Sequence, residues 1–250
     1  MQKINNDLYD QLGERWYLAQ DDPVALLRAE SRLRNPWVLT RLKEIFAHSD
    51  RSPKNIKILD VGCGGGFLSN FLAAEDYHVF GVDLSEESLK VAQKYDRTKT
   101  ATYVKANAEN LPYTDESFDV VTAMDFLEHV ENPQQIIDEI SRVLKPGGVF
   151  FFHTFNRNLI SWLVIIKAVE IFVKNTPAHM HVLRLFIKPK ELEKFCSRAH
   201  LQTKEFIGYK PNLIKKDILL GLLSGVVPES FSFSFTKSLL TSYSGYAIKT

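Results

Sequence analysis

Cysteine is scarce in this 250-residue chain. Cys63 and Cys196 form no CxxC pair, which excludes a disulfide framework and a thiolate zinc site and fits a reducing compartment. An excess of either charge is missing too. Lys and Arg number 31 against 30 Asp and Glu, so no overall field draws the protein to nucleic acid, and none is expected as a partner. The opening MQKINNDLYD holds no apolar h-region, so no secretory signal is expected there, and a cytoplasmic location is. No repeat of about 20 to 50 residues occurs, leaving solenoids and propellers unsupported. Nor does an apolar run reach spanning length. Leu159 to Val173 is apolar at 12 of 15 positions, but 15 helical residues rise only about 22 Å against a hydrocarbon core of roughly 30 Å. The remaining composition, 45% hydrophobic and 24% charged, is that of an ordinary globular protein.

What is present is an alternation. Short apolar runs at Ile56–Val61, His78–Asp83, Thr102–Ala106, Val120–Met124 and Val149–Thr154 read as strands. Between them, Phe67–Glu75, Ser85–Tyr95 and Pro133–Leu144 carry helical spacing, the last through Ile136, Ile137, Ile140, Val143 and Leu144. Strands alternating with helices of about ten residues predict right-handed βαβ units and a doubly wound, mostly parallel α/β sheet. Residues 1–55 read as a helical cap, with Pro23 and Pro36 near helix starts and Arg28, Arg32, Arg34 and Arg41 on a solvated face. Residues 56–154 read as the core, 155–200 as an apolar insertion or lid, and 201–250 as C-terminal strands with an apolar stretch, Leu213 to Val227, interrupted by Lys215, Lys216 and Asp217.

Asp60-Val61-Gly62-Cys63-Gly64-Gly65-Gly66 closes the first strand and opens a helix, a sharp turn that needs glycine. The dinucleotide fingerprint GxGxxG would need a small residue where Phe67 stands, so the spacing DxGxGxG suits a nucleoside with an amino-acid part rather than a pyrophosphate. Asp83 ends the second strand, placed to accept two ribose hydroxyls. Leu84 follows it, and Asn107-Ala108 follows the third strand.

Met124-Asp125-Phe126-Leu127-Glu128-His129 follows the fourth strand at the sheet edge where such folds bind ligands. On a helical turn, Asp125, Glu128 and His129 at i, i+3 and i+4 share one face. Two carboxylates and an imidazole there could hold a divalent ion such as Mg²⁺, or act as a general base; a structural EH pair explains them equally well.

The glycine loop, Asp83, Asn107-Ala108 and Lys145-Pro146-Gly147-Gly148 together resemble the class I S-adenosylmethionine-dependent methyltransferases over Ile56 to Thr154. That resemblance implies a Rossmann-like sheet with a C-terminal antiparallel strand. It places S-adenosylmethionine against Asp60, Gly62, Gly64, Gly66, Asp83, Leu84, Asn107, Ala108 and Met124, with Asn107 where many members have Asp.

Outside that half, Phe155-Asn156-Arg157-Asn158, Ser161-Trp162-Leu163, His181 and Phe186-Ile187-Lys188-Pro189 are similar to the ubiquinone-biosynthesis O-methyltransferases, across roughly Asn35 to Ile207. The similarity implies methylation of a phenol or catechol carrying a polyprenyl tail, with catalytic and metal roles for Asp125, Glu128 and His129. His129 is then the candidate base, with His153 and His181 behind it. The chain departs from the family at Asp125, where Glu is usual; at Val38, where an arginine contacts the cofactor and Arg34 or Arg41 would have to substitute; and at His179-Met180-His181, where Gly-Thr-His is usual. Methylation at carbon of a quinone or on another small lipid, and a non-catalytic membrane-binding protein of this fold, are the alternatives. Leu159 to Val173, with Trp162, Ile166, Val169 and Phe172 opposite Lys167, Glu170 and Lys174, is expected either to lie on the inner face of the cell membrane or to wall the substrate cavity.

Overall fold

The computed structural model describes residues 4–49, 51–213 and 216–250; Lys215 lies outside them, and the side chains of Lys216 and Asp217 are also left undescribed. Eight strands form one sheet in the order β3-β2-β1-β4-β5-β8-β6-β7. β1 (Lys57–Val61), β2 (His78–Asp83), β3 (Thr102–Lys105), β4 (Phe118–Met124) and β5 (Leu144–Phe155) run parallel. β8 (Ser242–Lys249) inserts antiparallel between β5 and β6 (Leu201–Pro211), and β7 (Phe233–Thr236) borders β6. All seven residues of β4 are buried, as expected for a central strand covered on both faces.

The order reverses between β1 and β4. At such a point the loops leaving the carboxyl ends diverge and open a crevice. Gly62 leaves β1 there and Asp125 leaves β4. On the two faces pack α3 (Phe67–Ala74), α4 (Glu86–Tyr95) and α5 (Pro133–Val143), following the short α1 (Arg15–Leu18) and the long α2 (Val24–Ile45). Local chemistry sets their starts: the Ser85 hydroxyl accepts the Ser88 amide at the head of α4, and the Asn132 side chain does the same for Gln135 before Pro133 opens α5.

The N-terminal region departs from expectation. Pro36 lies inside α2, where its ring nitrogen has no hydrogen to donate and one helical bond is forgone. The arginines form a solvated face only in part: Arg32 is exposed, Arg28 and Arg41 are half-buried, and all three are engaged. Arg28 donates to the Trp16 and Ala19 carbonyls, Arg32 to those of Glu229 and Phe231, Arg41 pairs with Glu205 and Glu44, and Arg34 is buried. Leu159–Ser161, the π-wound Trp162–Ala168 and Val169–Phe172 form one continuous apolar helix, the wide turn lying where the helix borders the cavity. Ile166 packs with Phe155 and Phe186, and Val169 beside Val173 and Ile218. Of the two placements expected for the face of Trp162, Ile166, Val169 and Phe172, this one walls the cavity side: Trp162 and Ile166 pack on Phe155 and Phe186, and Val169 and Phe172 line the cavity. Leu159, Ile160, Leu163 and Ile171 are exposed instead.

Candidate active site

A cavity of about 900 Å³ opens at the crevice. One lobe is lined by Asp60, Gly62, Gly64, Asp83, Leu84, Asn107, Ala108 and Met124, eight of the nine residues expected to hold the cofactor. Gly66 is the ninth, and it is not in the lining. With φ +81° it caps α3, packed so closely against Ala92, Tyr103 and Asn70 that a Cβ would clash; its role is to let the helix start.

The acids of this lobe are held by short-range donors. Asp60 accepts the hydroxyls of Ser69 and Thr122, each at 2.6 Å. Asp83 accepts the amides of Gly64 at 2.9 Å and Ser85 at 2.8 Å; burial raises its pKa against the pull of those amides. The Asn107 side chain accepts the Glu109 amide, which orients it at the lobe's exposed rim. Trp16 covers Gly64 and Gly65, while Phe126 covers Gly62, so that a Cβ on any of the three would meet a ring. Phe67, where a dinucleotide site needs a small residue, packs edge-on against Trp16 and Tyr17.

The second lobe is apolar, walled by Leu26 and Leu27 of α2, Val164, Ile165, Ala168, Val169 and Phe172 of the apolar helix, and Phe155, Phe231 and Phe233. His129 and His181 enter the lining, their ring centroids 5.3 Å apart. Burial lowers the His129 pKa to about 4, with Asp125 opposing, and the His181 pKa to about 3, so both are neutral near pH 7. His129 Nε2 lies 3.3 Å from the Tyr9 hydroxyl, its carbonyl accepts the Asn6 side-chain amide, and Nδ1 has no hydrogen-bond partner among the described residues.

Asp125, Glu128 and His129 do not share a face. The chain breaks helical geometry at once, with Asp125 at φ +53° and a 3₁₀ turn over Leu127–His129. Glu128 is fully buried away from the cavity lining and accepts the Thr154 hydroxyl at 2.8 Å. Burial, then the field of Asp125, pushes its pKa up to about 8. The expected metal set is therefore not assembled. Among the described residues, the acids and imidazole near enough to share an ion are Glu30, Asp125 and His153. His153 Nε2 lies 3.4 Å from both Glu30 Oε1 and Asp125 Oδ1. The Arg34 guanidinium already pairs with Asp125 Oδ2, and a fixed cation at that spot repels a second. Burial works against a charged Asp125, yet Arg34 overcomes it and holds the carboxyl below its usual range.

Of the two arginines considered for the place of Val38, Arg34 reaches the cavity and Arg41 lies outside its lining, paired with Glu205. Glu30, Tyr9, Trp16 and Tyr209 line the cavity without having been singled out from the sequence. Glu30 and Arg34 stand at i, i+4 on α2, a pattern visible in the sequence and masked there by the reading of a solvated arginine face.

A methyltransferase-domain family model matches residues 59–152. The chain is 37% identical over 211 residues to the ubiquinone biosynthesis O-methyltransferase of Thiobacillus denitrificans, covering 83% of this chain and 87% of that protein. It is 40% identical over 215 residues to the protein of the same name from Actinobacillus pleuropneumoniae, covering 82% and 87%. The chain belongs to the ubiquinone biosynthesis O-methyltransferase family. Like the other members of this family it is an S-adenosylmethionine-dependent O-methyltransferase. The fold agrees with solved methyltransferases: magnesium protoporphyrin IX methyltransferase from Synechocystis, with bound SAH, superposes at TM-score 0.57 and 16% identity, covering 87% of this chain and 84% of that one. An S-adenosylmethionine-dependent methyltransferase from Methanosarcina mazei gives 0.57 and 22%, covering 82% and 96%. Against this family the glycine loop, Asp83 and the Asn107-Ala108 rim fit the cofactor, whereas Asp125, Glu128 and His129 do not fit a shared metal ion.

Proposed function

We propose that the enzyme methylates a phenolic or catechol oxygen on the ring of a polyprenyl quinone precursor. The observation that carries this reading is the single cavity joining the Gly62–Asp83 lobe to an apolar lobe, with His129 among its lining residues. A ring needs the polar end of such a cavity and a prenyl tail needs the apolar walls. The names of the curated relatives point to the same pathway.

When bound, S-adenosylmethionine supplies a sulfonium methyl group. The chain's own task is to present an oxygen nucleophile to it, and a phenol with pKa near 10 must lose its proton to act as one. His129 is the proton acceptor in this proposal. Donation from Nε2 to the Tyr9 hydroxyl leaves the Nδ1 lone pair free, and burial keeps the imidazole neutral. Asp125, pinned by Arg34, supplies the fixed negative charge that favours imidazolium as the proton arrives. No step is assigned to Glu128 or to a metal.

The apolar helix gives the enzyme a route to a membrane-dissolved tail. Its inner side walls the cavity, and Leu159, Ile160, Leu163 and Ile171 face outward, an arrangement suited to the inner face of the cell membrane. No helix among the described residues is long and apolar enough to cross one. Incubation with methyl-labelled cofactor and a bacterial lipid extract, followed by mass spectrometry, tests the assignment. A labelled aryl methyl ether on a prenylated ring is expected. Label bound to ring carbon, or found only on unprenylated compounds, would overturn it.

A further inference from the structure

The cavity meets solvent in two places of opposite character. Among the described residues, the exposed members of its lining fall into two groups. One borders the cofactor lobe: Asn6, Asp7, Asp10, Asn107, Glu109 and Glu131, with Leu84 as its apolar member. Asp7–Asp10 is a short turn held over that lobe, since the Tyr9 carbonyl accepts the Ser88 hydroxyl of α4 and the Asn6 side chain donates to the His129 carbonyl. The other group is Phe172, Leu213 and Leu223, exposed by 40%, 52% and 67%. Phe172 ends the apolar helix, and Leu223 ends a second helix over Lys216–Leu223. Ile218 seats that second helix on the apolar lobe, fully buried in one cluster with Val173 and Phe231.

Each rim matches one ligand. S-adenosylmethionine carries a sulfonium and an ammonium against a single carboxylate, so it arrives as a net cation. Of the acids at the first mouth Glu131 pairs with Arg184, while Asp7, Asp10 and Glu109 keep the rim negative and draw a cation in from water. Once the methyl group has gone the sulfur is neutral, and that attraction is lost. A polyprenyl tail is the opposite case. Ligands of ordinary size fill roughly 300–1,000 Å³, so a cavity of about 900 Å³ that takes the cofactor and a ring cannot also enclose a tail of many isoprene units. The tail has to pass out of it. Three large apolar side chains at a cavity mouth are a surface that an apolar ligand covers, whereas the acidic rim would leave the tail in water.

We propose that the two ligands use separate mouths: the cofactor comes and goes through the acidic rim, and the acceptor's prenyl tail lies out between Phe172, Leu213 and Leu223. S-adenosylhomocysteine then leaves while the tailed ring is still seated, and neither ligand has to wait for the other. The proposal rests on the phenol-methylation reading, and it adds the routes by which the two ligands enter and leave.

The test uses the full-length protein and a farnesylated ring whose reacting hydroxyl is already methylated, an inert product analogue. Protein loaded with labelled S-adenosylhomocysteine is diluted into the unlabelled compound, with and without saturating analogue, and release is timed by filtration. With separate mouths the analogue should change the release rate by less than about threefold; a slowing of about tenfold or more would overturn the proposal, the tailed ring then blocking the way out. An analogue that binds no tighter than the same ring without its tail would overturn it too, since nothing then holds the tail. Leu213→Glu combined with Leu223→Glu should weaken the farnesylated analogue at least about tenfold, the worth of fewer than two buried methylene groups at about fourfold each, and leave the untailed ring unaffected. Both side chains are more than half exposed, so the new charges meet water, and unchanged cofactor affinity confirms the fold. Undiminished binding of the farnesylated analogue by that variant would remove the apolar mouth. Asp7→Lys combined with Asp10→Lys should slow S-adenosylmethionine association at low salt by about threefold or more without weakening the analogue, and an unchanged association rate would remove the acidic one. A farnesylated ring with its hydroxyl free that meets the binding expectations yet gains no methyl group would leave both mouths standing and sink the methylation reading instead.

Discussion

The Asp83 carboxylate accepts the Gly64 amide at 2.9 Å, tying the acid that ends β2 to the loop that ends β1. One residue thus does two things: it shapes the glycine turn and offers its remaining lone pairs to the cavity. Neither works without the other, because the loop fixes the carboxylate and the carboxylate fixes the loop.

Removing that acid should therefore weaken cofactor binding. For Asp83→Ala the expected loss is roughly 1.5–3 kcal/mol, the worth of a hydrogen bond to a charged group, or about ten- to hundredfold in affinity. Calorimetry with S-adenosylmethionine measures it directly, and an unchanged dissociation constant contradicts the site.

His129→Ala should lower turnover by roughly 10² to 10⁴, the range for a positioned base, with cofactor affinity near wild type. Tyr9→Phe should cost less, since it removes the partner that selects the tautomer and leaves the ring in place. A loss of only a few-fold in His129→Ala would make the histidine structural.

The sheet, the helices and the glycine turn could be read from the sequence because each depends on local signals: alternating apolar runs, helical spacing such as that of Ile136, Ile137 and Ile140, and glycine where φ is positive. The acid and histidine cluster could not. Spacing of i, i+3 and i+4 places side chains on one face only if the backbone is helical, and Asp125 leaves β4 at φ +53°. The Glu30–Arg34–Asp125–His153 cluster unites residues from three elements, and no window of sequence brings Glu30 beside His153. The sequence left the inner side of the apolar helix open between membrane and cavity wall for a related reason. When nearly every position is apolar, a helical wheel cannot say which side meets the cavity.

Burial gives the protein a pH signature with opposing limbs. The Glu128 pKa is about 8 in the folded state against an ordinary value near 4.5, so its contribution is greatest at low pH and is lost as pH rises through about 8. His129, near 4, and His153 and His181, near 3, do the reverse: they stay neutral while the unfolded chain takes up protons below about 6.5, and stability falls as pH drops from there. Melting temperature should peak on the mildly acidic side of neutral. Glu128→Gln should raise it at pH 8 and change it little at pH 5, and turnover should stay within about threefold of wild type, since Glu128 does not line the cavity. A large loss of turnover in a folded Glu128→Gln would return that residue to the chemistry.

Metal chelation separates two ways of activating the phenol. Because Arg34 already occupies Asp125 Oδ2 and Glu128 is turned toward Thr154, a chelator should leave turnover unchanged, and added Mg²⁺ should raise it less than about twofold. Abolition by chelator with recovery on one divalent ion would show that the cluster rearranges around a cation when acceptor binds.

The apolar helix yields the last expectation. Leu163 is 58% exposed and Ile171 71%, whereas Ile166 is 8% exposed and packed on Phe155 and Phe186. Charges placed on the outer positions therefore meet water in the free protein and lipid headgroups in the docked one, while a charge at Ile166 meets the core. The Lys167 ammonium sits 5.7 Å from the centre of the Trp162 ring and pairs with Glu170, holding a polar edge beside the apolar one. Leu163→Glu combined with Ile171→Glu should abolish co-flotation with liposomes containing anionic lipid, and should leave cofactor affinity and methylation of a short-tailed soluble acceptor intact. Ile166→Glu should instead lower the melting temperature, because it buries an unpaired carboxylate. If the wild-type protein does not float, or if the outer double variant floats as well as wild type, the helix is a cavity wall alone and the tail must reach the site by another path.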